Sequence, residues 1–460
     1  MTPVSLSELA ASVDGQLTGT DCRIAGFSTD TRTLNHGDVY FCLRGDNFDG
    51  HNFVQLAIEK GAAAVICEKD LQLATQTAKQ TTIAQLIVAD TRQAFGRFAM
   101  LWRKRYTRPV IGITGSNGKT TVKQLLASIL SCAGTVHYTR ANDNNEIGVP
   151  QTLLGLNEQH DFAVVEMGAS DKGEIKWLGE LVQPTISVIT NASAAHLEGF
   201  GDARAVAEEK AWIYKHLSAT GTAVVNADDQ FADYWREICG DRKILTFGVS
   251  GDVCGQRESD RSLSITHTGK TISCEYQLAG QHNAMNAAAA AACAIAAGVS
   301  PEIITDGLSA AEPVAGRLNF ISLTNNVTVV DDTYNANPAS TRAAIDVLGE
   351  FKGQRFMVLG DLLELGDDEV REHRMVGEYA RLNKVDRLFA CGNLSKHTVD
   401  EFGATGQWFQ SQQELIDVLT SEICVGCAVL VKGSRSMKME RVTAAVSEHF
   451  AVAQSGACCQ

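Results

Sequence analysis

A chain of 460 residues is too long for one ordinary core, and a prior of about 150 residues per domain suggests roughly three domains. Hydrophobic residues make up 45% and charged residues 20%, as in globular proteins, and the formal net charge of -14 argues against a surface that wraps nucleic acid, which needs clustered Lys and Arg. There is no run of about 18 apolar residues, no basic stretch followed by an apolar one at the N-terminus, and the 13 scattered cysteines suit a reduced compartment, so a cytoplasmic chain without secretory signal or membrane span is expected.

From the N-terminus, Ser28-Thr-Asp-Thr-Arg32 and the segment from Arg44 through Asp49, Gly50 and His51 read, on residue type alone, as polar turns beside strands. Ala63-Ala-Val-Ile66 has the length and apolar content of a buried strand. A boundary is expected near Asp90, where the strand-like Gln85-Leu-Ile-Val88 gives way to a helical pattern over Phe95 to Arg105.

The strongest local motif follows, Ile111-Gly-Ile-Thr-Gly-Ser-Asn-Gly-Lys-Thr-Thr121, entered by a strand and left by the helix Val122 to Leu130. Glycines let the backbone turn its N–H groups toward a phosphate, and the helix N-terminus adds partial positive charge. Gly115, Ser116, Asn117, Gly118 and Thr121 would line the phosphates, Lys119 would reach the terminal ones, and Thr120 would bind Mg2+. Ile113 stands where the usual P-loop has its first glycine, so the loop is a variant. The plainer reading is a Gly-rich turn before a helix.

Apolar runs of strand length then alternate with helical patterns: Phe162-Ala-Val-Val165, Ile186-Ser-Val-Ile189, Val327-Thr-Val-Val330, Phe356-Met-Val-Leu359 and Val429-Leu-Val431. Such runs argue α/β units around parallel sheets. Ligands collect beyond the carboxyl ends of such strands. Glu166 stands at one, a carboxylate suited to Mg2+; His196 follows in the loop after Thr190, and Lys210 lies on a helix expected over Ala205 to His216. Singly, Glu166 is equally a helix-cap acid or a solvated charge, His196 reads as a structural histidine and Lys210 as a surface lysine. In order after a phosphate loop they point to a Mg-nucleotide enzyme, and residue chemistry stops there. The Ala-rich stretch from Ala284 to Gly298, interrupted by Asn286, reads as a buried helix, and a second boundary is expected near Glu312-Pro313. Cys424 and Cys427 form a lone C-x-x-C with no second pair at zinc spacing and read as ordinary thiols.

In order and along essentially the whole chain, these motifs resemble the Mur ligase family. Thr114 to Thr120 fits that family's Thr-Gly-Ser/Thr-Asn-Gly-Lys-Thr loop, which makes the displaced glycine a family trait. The resemblance implies an α/β fold of three domains: a UDP-binding module over 1–90, a central P-loop ATPase domain with a parallel sheet over 91–313, and a Rossmann-like domain over 314–460. In the first, Ser28, Thr31, Arg32 and the loop of Arg44, Asp49, Gly50 and His51 would meet the UDP end. In the second, Asn142-Asp-Asn-Asn-Glu-Ile-Gly-Val-Pro150 is similar to a substrate loop and offers Asn144, Asn145 and Glu146. Gly280-Gln-His-Asn283, with Asn286 one turn later on the same face, is similar to the ATP-contacting segment. His196 and Lys210 match metal-site positions, and the family's lysine there is commonly carbamylated. In the third, Gly316-Arg317 and Asp331-Asp-Thr-Tyr-Asn-Ala-Asn-Pro338 imply that Arg317 reaches the ATP phosphates while Asp332, Tyr334, Asn335 and Asn337 hold ribose and adenine. Gly360 to Gly366 matches as well, and Lys432, Ser434 and Arg435, in the stretch Val431 to Glu440, would recognise an incoming dipeptide.

The Asn-Asn-Glu-Ile-Gly and Asp-Thr-Tyr-Asn-Ala-Asn-Pro stretches imply the branch of the family that joins D-alanyl-D-alanine to UDP-N-acetylmuramoyl-tripeptide, acting as a monomer. The tripeptide carboxylate would attack the ATP γ-phosphate to give an acyl phosphate and ADP, and the dipeptide amine would displace phosphate. Lys119, Arg317 and a pair of Mg2+ ions held by Thr120, Glu166, His196 and carbamylated Lys210 would offset the repulsion between anions. Competing readings are a sister Mur ligase, a folylpolyglutamate synthase, a nucleotide-binding regulatory protein without chemistry, and a generic P-loop kinase or GTPase.

Overall fold

The computed structural model describes residues 2–45, 48–72, 83–193, 197–259 and 261–451. The first sheet has five strands in the order Gln16–Thr18, Ala84–Ile87, Ala64–Cys67, Val39–Phe41 and Phe27–Ser28. All pairs are parallel except the outer one, where Gln16–Thr18 runs against Ala84–Ile87. Its apolar underside rests on the helix Thr91–Arg103, whose start is fixed by Asp90: that side chain accepts from the Arg92 and Gln93 amides. Phe95 and Phe98 pack against Phe27 and Phe41 with ring centroids 5.1 to 5.9 Å apart. The other flank of this helix meets the helix Glu174–Val182, where Arg97 lies over Trp177 and pairs with Glu180. The helix therefore joins the first sheet to the second.

The second sheet has nine strands, in the order Val136–Tyr138, Phe162–Glu166, Val110–Thr114, Ile186–Ile189, Thr222–Asn226, Lys243–Phe247, Val253–Ser259, Ser262–His267 and Lys270–Glu275. Neighbours are parallel as far as Val253–Ser259, and the last two strands add an antiparallel meander. This is where the sheet departs from the all-parallel expectation. Val110–Thr114 is buried at every position, as helices on both faces require, whereas Lys270–Glu275 alternates and leaves one face to water. The helices Lys119–Ser131 and Gln281–Ala296 pack on each other and on the sheet. Ala284, Ala287 to Ala292 and Ala294 are fully buried there, small enough for close backbone approach. The helix expected over Ala205 to His216 is divided at Ala211 into Ala203–Lys210 and Trp212–Lys215.

The third sheet has six strands in the order Asn319–Ser322, Thr328–Asp332, Ala428–Lys432, Arg355–Gly360, Arg387–Cys391 and Gly406–Phe409, parallel but for the first. The carboxyl ends of Val110–Thr114, Phe162–Glu166 and Thr328–Asp332 open on one cavity of about 910 Å3, as the crevice rule for parallel sheets requires. Among the described residues no helix is long and apolar enough to cross a membrane.

Candidate active site

The chain leaves Val110–Thr114 through a loop that admits no side chain at two points. A methyl group on Gly115 would sit 1.8 Å from Thr190 Oγ1, and one on Gly118, whose φ is +81°, would sit 2.4 Å from Asn286 Oδ1. Three bonds pin the loop to the neighbouring strand end. Ser116 N–H donates to Asn191 O at 2.9 Å, Asn117 N–H to Asn191 Oδ1 at 3.0 Å, and Thr190 Oγ1 to Asn117 O at 2.5 Å. The helix Lys119–Ser131 then begins without a side-chain cap, so the amides of its first turn, at Lys119, Thr120 and Thr121, are left for an anion. Lys119 Nζ lies back on Gly115 O at 2.7 Å and Ser116 O at 3.4 Å. Burial lowers its pKa, Glu166 opposes that and Arg317 adds to it, leaving it below the ordinary lysine value.

Glu166, 1% exposed, is the hub of the site. Its Oε1 accepts from Asn144 Nδ2 at 2.7 Å and Thr120 Oγ1 at 3.2 Å, and Lys123 Nζ stands 3.1 Å from Oε2. Burial alone would raise this carboxyl, but Lys123 and Lys119 outweigh it and hold the pKa below its usual range. Lys123 is fully buried and also donates to Ala141 O at 2.6 Å. Lys210, expected on the surface if read alone, is only 2% exposed. Burial pushes its amine down to about 7, with the Lys119 charge adding and Glu209 opposing. Glu209 is occupied elsewhere: it accepts from the Gly173 and Ile175 amides at 2.9 and 2.7 Å. Lys210 has no hydrogen bond or ion pair among the described residues, and His196 lies outside them.

On the far wall, Asn283 and Asn286 share a face as their spacing implies, joined by a 3.0 Å bond from Asn286 Nδ2 to Asn283 Oδ1. The third sheet closes over them. Arg317 lies 4.2 Å above the Tyr334 ring and donates from Nη2 to Thr120 Oγ1 at 3.0 Å. Asn337 caps the helix Pro338–Gly349 and reaches Asn117 Oδ1 at 2.7 Å. Asn335 faces the same cavity, its Oδ1 accepting from the Ala336 amide at 2.9 Å. Lys432, expected to meet a dipeptide, lines the cavity but is 1% exposed, paired with Asp332 at 2.5 Å and bonded to Asn335 O at 2.9 Å. Ser434 is buried too and accepts from the Leu363 amide at 2.9 Å, while Arg435 is exposed and pairs with Glu440 at 3.1 Å.

The N-terminal candidates divide the same way. Ser28 donates to Asp30 O at 2.7 Å inside its own turn, and Thr31, buried, accepts at its carbonyl from Lys60 at 2.7 Å. Arg32 is open to solvent and forks onto Asp30. Arg44 pairs with Glu68 at 2.7 Å and Asp49 at 3.3 Å. His51 is fixed at both nitrogens, Nδ1 donating to Asp49 at 2.6 Å and Nε2 accepting from the Glu68 amide at 3.0 Å, and Gly50 N–H bonds Leu43 O at 2.8 Å. Nearer the cavity, Asn145 Oδ1 accepts from the Ile147 and Gly148 amides at 3.1 and 3.0 Å, and Glu146 pairs with Arg92 at 2.6 Å. Sequence reasoning missed Lys123, Asn191 and Arg92. For Lys123 a signal existed, since it lies one turn after Lys119 on the same helix face.

This arrangement agrees with what the chain is similar to. Family models match end to end: "Mur ligase family, catalytic domain" over 23–103, "Mur ligase middle domain" over 113–294 and "Mur ligase, glutamate ligase domain" over 316–435. The UDP-N-acetylmuramoyl-tripeptide–D-alanyl-D-alanine ligase of Escherichia coli K12 is 38% identical, covering 98% of this chain and 99% of its own. A crystal structure of MurF from Acinetobacter baumannii superposes with TM-score 0.88 at 36% identity, covering 97% of this chain and 99% of that one. The MurF ligase of Thermotoga maritima in complex with ADP gives 0.81 at 27% identity, over 92% of this chain and 97% of that one. With a full-length relative at 38% identity and a phosphate loop, buried glutamate and bridging arginine in one cavity, the chain belongs to the Mur ligase family.

Proposed function

We propose that this chain is an ATP-dependent ligase that adds D-alanyl-D-alanine to UDP-N-acetylmuramoyl-tripeptide, forming an amide bond and releasing ADP and phosphate. The observation that carries the reading is the bond from Arg317 to Thr120: a cation from the third sheet stands at the uncapped helix end of the phosphate loop. In this reading residues 1–90 hold the UDP end, 91–313 the ATP, and 314–460 the base of ATP and the dipeptide. The enzyme acts as a monomer in the cytoplasm, where ATP and nucleotide-linked precursors are made.

The first step brings a carboxylate against a phosphoryl group, both anionic. Lys119 and the first-turn amides hold the β- and γ-phosphates, and Arg317 takes up the charge that develops as the γ-phosphoryl moves to the carboxylate oxygen. Tyr334 stacks beneath the Arg317 guanidinium and fixes its plane. The amine of the dipeptide then attacks the acyl carbon, the C–N bond forms and phosphate departs with the C–O electron pair. Closure of the third sheet over the cavity keeps water from the acyl phosphate.

The residues fit Mg2+. Glu166 and Thr120 offer hard oxygens beside the phosphate loop, with Glu166 Oε2 held by the Lys123 ammonium at 3.1 Å and Oε1 beside Thr120 Oγ1. Bound there with ATP, Mg2+ would supply charge neutralisation at the phosphates. Lys210 as an amine does not suit a hard cation. Its depressed pKa keeps much of it neutral near pH 7, the form that adds CO2, and the resulting carbamate would supply an oxygen donor.

Phosphate release tests the reading, with ATP, Mg2+, UDP-N-acetylmuramoyl-tripeptide and D-alanyl-D-alanine each omitted in turn. Release that needs all four, with a pentapeptide product by mass, is expected. Release with a different acceptor would make the chain a sister ligase, and ATP binding without release would make it a regulatory protein.

A further inference from the structure

A nucleotide-linked peptide must be held at its UDP end while its carboxylate is set at the phosphate loop. One side chain touches both neighbourhoods. Arg92, in the first turn of the helix Thr91–Arg103, donates from Nε to Arg44 O at 2.7 Å and from Nη1 to Glu146 Oε1 at 2.6 Å. Arg44 opens the two-stranded hairpin in which it pairs with Asp49. Glu146 closes the segment whose Asn145 starts the helix Gly148–Leu154 and whose Asn144 grips Glu166 Oε1 at 2.7 Å. Contacts of hydrogen-bond length thus run from the hairpin through Arg92 and Glu146 to a backbone segment that ends on Glu166.

We infer that Arg92 is a positioning residue that couples seating of the substrate's nucleotide end at the paired residues Arg44 and Asp49 to the setting of Glu166 over the phosphate loop. The inference rests on the reading above for the hairpin and Glu166. The side chains of Arg92 and Glu146 are 38% and 49% exposed, so in the open cleft the pair is weak and screened. Both residues line the cavity, and a substrate lying over them removes water and strengthens the pair. The contact is therefore strongest when substrate is bound, which is what a coupling element needs. The planar fork of arginine meets both acceptors at once, and the compact ammonium of a lysine cannot.

The test varies UDP-N-acetylmuramoyl-tripeptide at saturating ATP and dipeptide for the wild type, Arg92→Ala, Arg92→Lys, Glu146→Gln and the Arg92→Ala/Glu146→Gln double variant, with ADP affinity and thermal melting measured alongside. Arg92→Ala is expected to raise KM for the nucleotide-peptide about fivefold and lower kcat by a similar factor, the equivalent of ~1 kcal/mol each. ADP affinity stays within about twofold, Arg92→Lys recovers less than half of the loss, and the double variant is no worse than Arg92→Ala. Losses that multiply in the double variant, or a raised KM with kcat unchanged, would overturn the coupling. If Arg92→Ala does not fold, Glu146→Gln against the wild type carries the same comparison. Failure of the wild type to need both substrates would sink the functional reading instead.

Discussion

Replacing Lys123 with Met would break a buried ion pair and leave its partner behind. Lys123 is 0% and Glu166 1% exposed at their side chains, with 3.1 Å between charges. Removing one member of such a pair costs roughly 3–5 kcal/mol, because the other charge stays buried without its counterion. Lys119 still attracts Glu166, so the lower end, about 3 kcal/mol, is expected, and at ~2–4 °C per kcal/mol for an unfolding unit of roughly 200 residues, built on the second sheet, that is a fall in Tm of about 6–12 °C. The pH dependence has a definite sign. In the wild type the Glu166 pKa is lowered, so its contribution to stability is present above the unfolded value near 4.5 and is lost as pH falls through the folded one. In Lys123→Met burial raises the same carboxyl, and stability is lost as pH rises through that value. The gap between the two proteins therefore widens from about pH 4.5 to pH 7. Lys123→Met/Glu166→Gln removes both charges while Gln keeps an oxygen for Asn144 and Thr120, and it should recover most of the lost stability. Scanning calorimetry at pH 5 and pH 7 reads all three proteins. A single variant that melts with the wild type, or a double variant no more stable than the single, would refute a buried pair as the support of Glu166.

Lys119→Ala should cut phosphate release by at least ~100-fold while Tm stays near the wild type, since its ammonium bonds only loop carbonyls; near-normal turnover would remove it from the phosphate site. Arg317→Ala should lower kcat by about 10- to 100-fold and raise KM for ATP, through loss of the cation at Thr120, with steady-state kinetics as the check and an unchanged kcat as the contrary result. The Lys210 pKa, near 7 against 10.5 when free, means the folded state holds fewer protons between those values, so wild-type stability should gain on that of Lys210→Met by up to ~5 kcal/mol as pH rises from 7 to 10.5. Urea melts at the two pH values measure that gain. A 13C-bicarbonate signal present in the wild type and absent in Lys210→Met would report carbamylation, which replaces this titration.

Strands with unbroken apolar runs were legible because burial on both faces leaves no other composition: Phe162–Glu166 and Ile186–Ile189 lie where their residues indicate. The meander after Val253 was not. Its strands alternate polar and apolar residues, and its tight turn at Thr268 and Gly269, with φ of +49° and +74°, uses Thr where Asn or Asp is the usual marker. The phosphate loop was legible because chemistry fixes its residues one by one. The buried cations were harder, since a lysine on a helix or after a strand reads as solvated until its partner is known. Asp332 and Lys432 are register neighbours on adjacent parallel strands, a relation invisible across 100 residues of sequence.

That pairing explains how a chain of net charge -14 receives polyphosphate. Lys123 is matched to Glu166 and Lys432 to Asp332, so these buried charges cancel inside the walls. Lys119 and Arg317 also line the cavity, and neither forms an ion pair among the described residues. They stand one on each side of the cleft, Lys119 on the phosphate loop and Arg317 beside the third sheet. A phosphate drawn to both would hold the third sheet against the second. Closure and binding would then be one event.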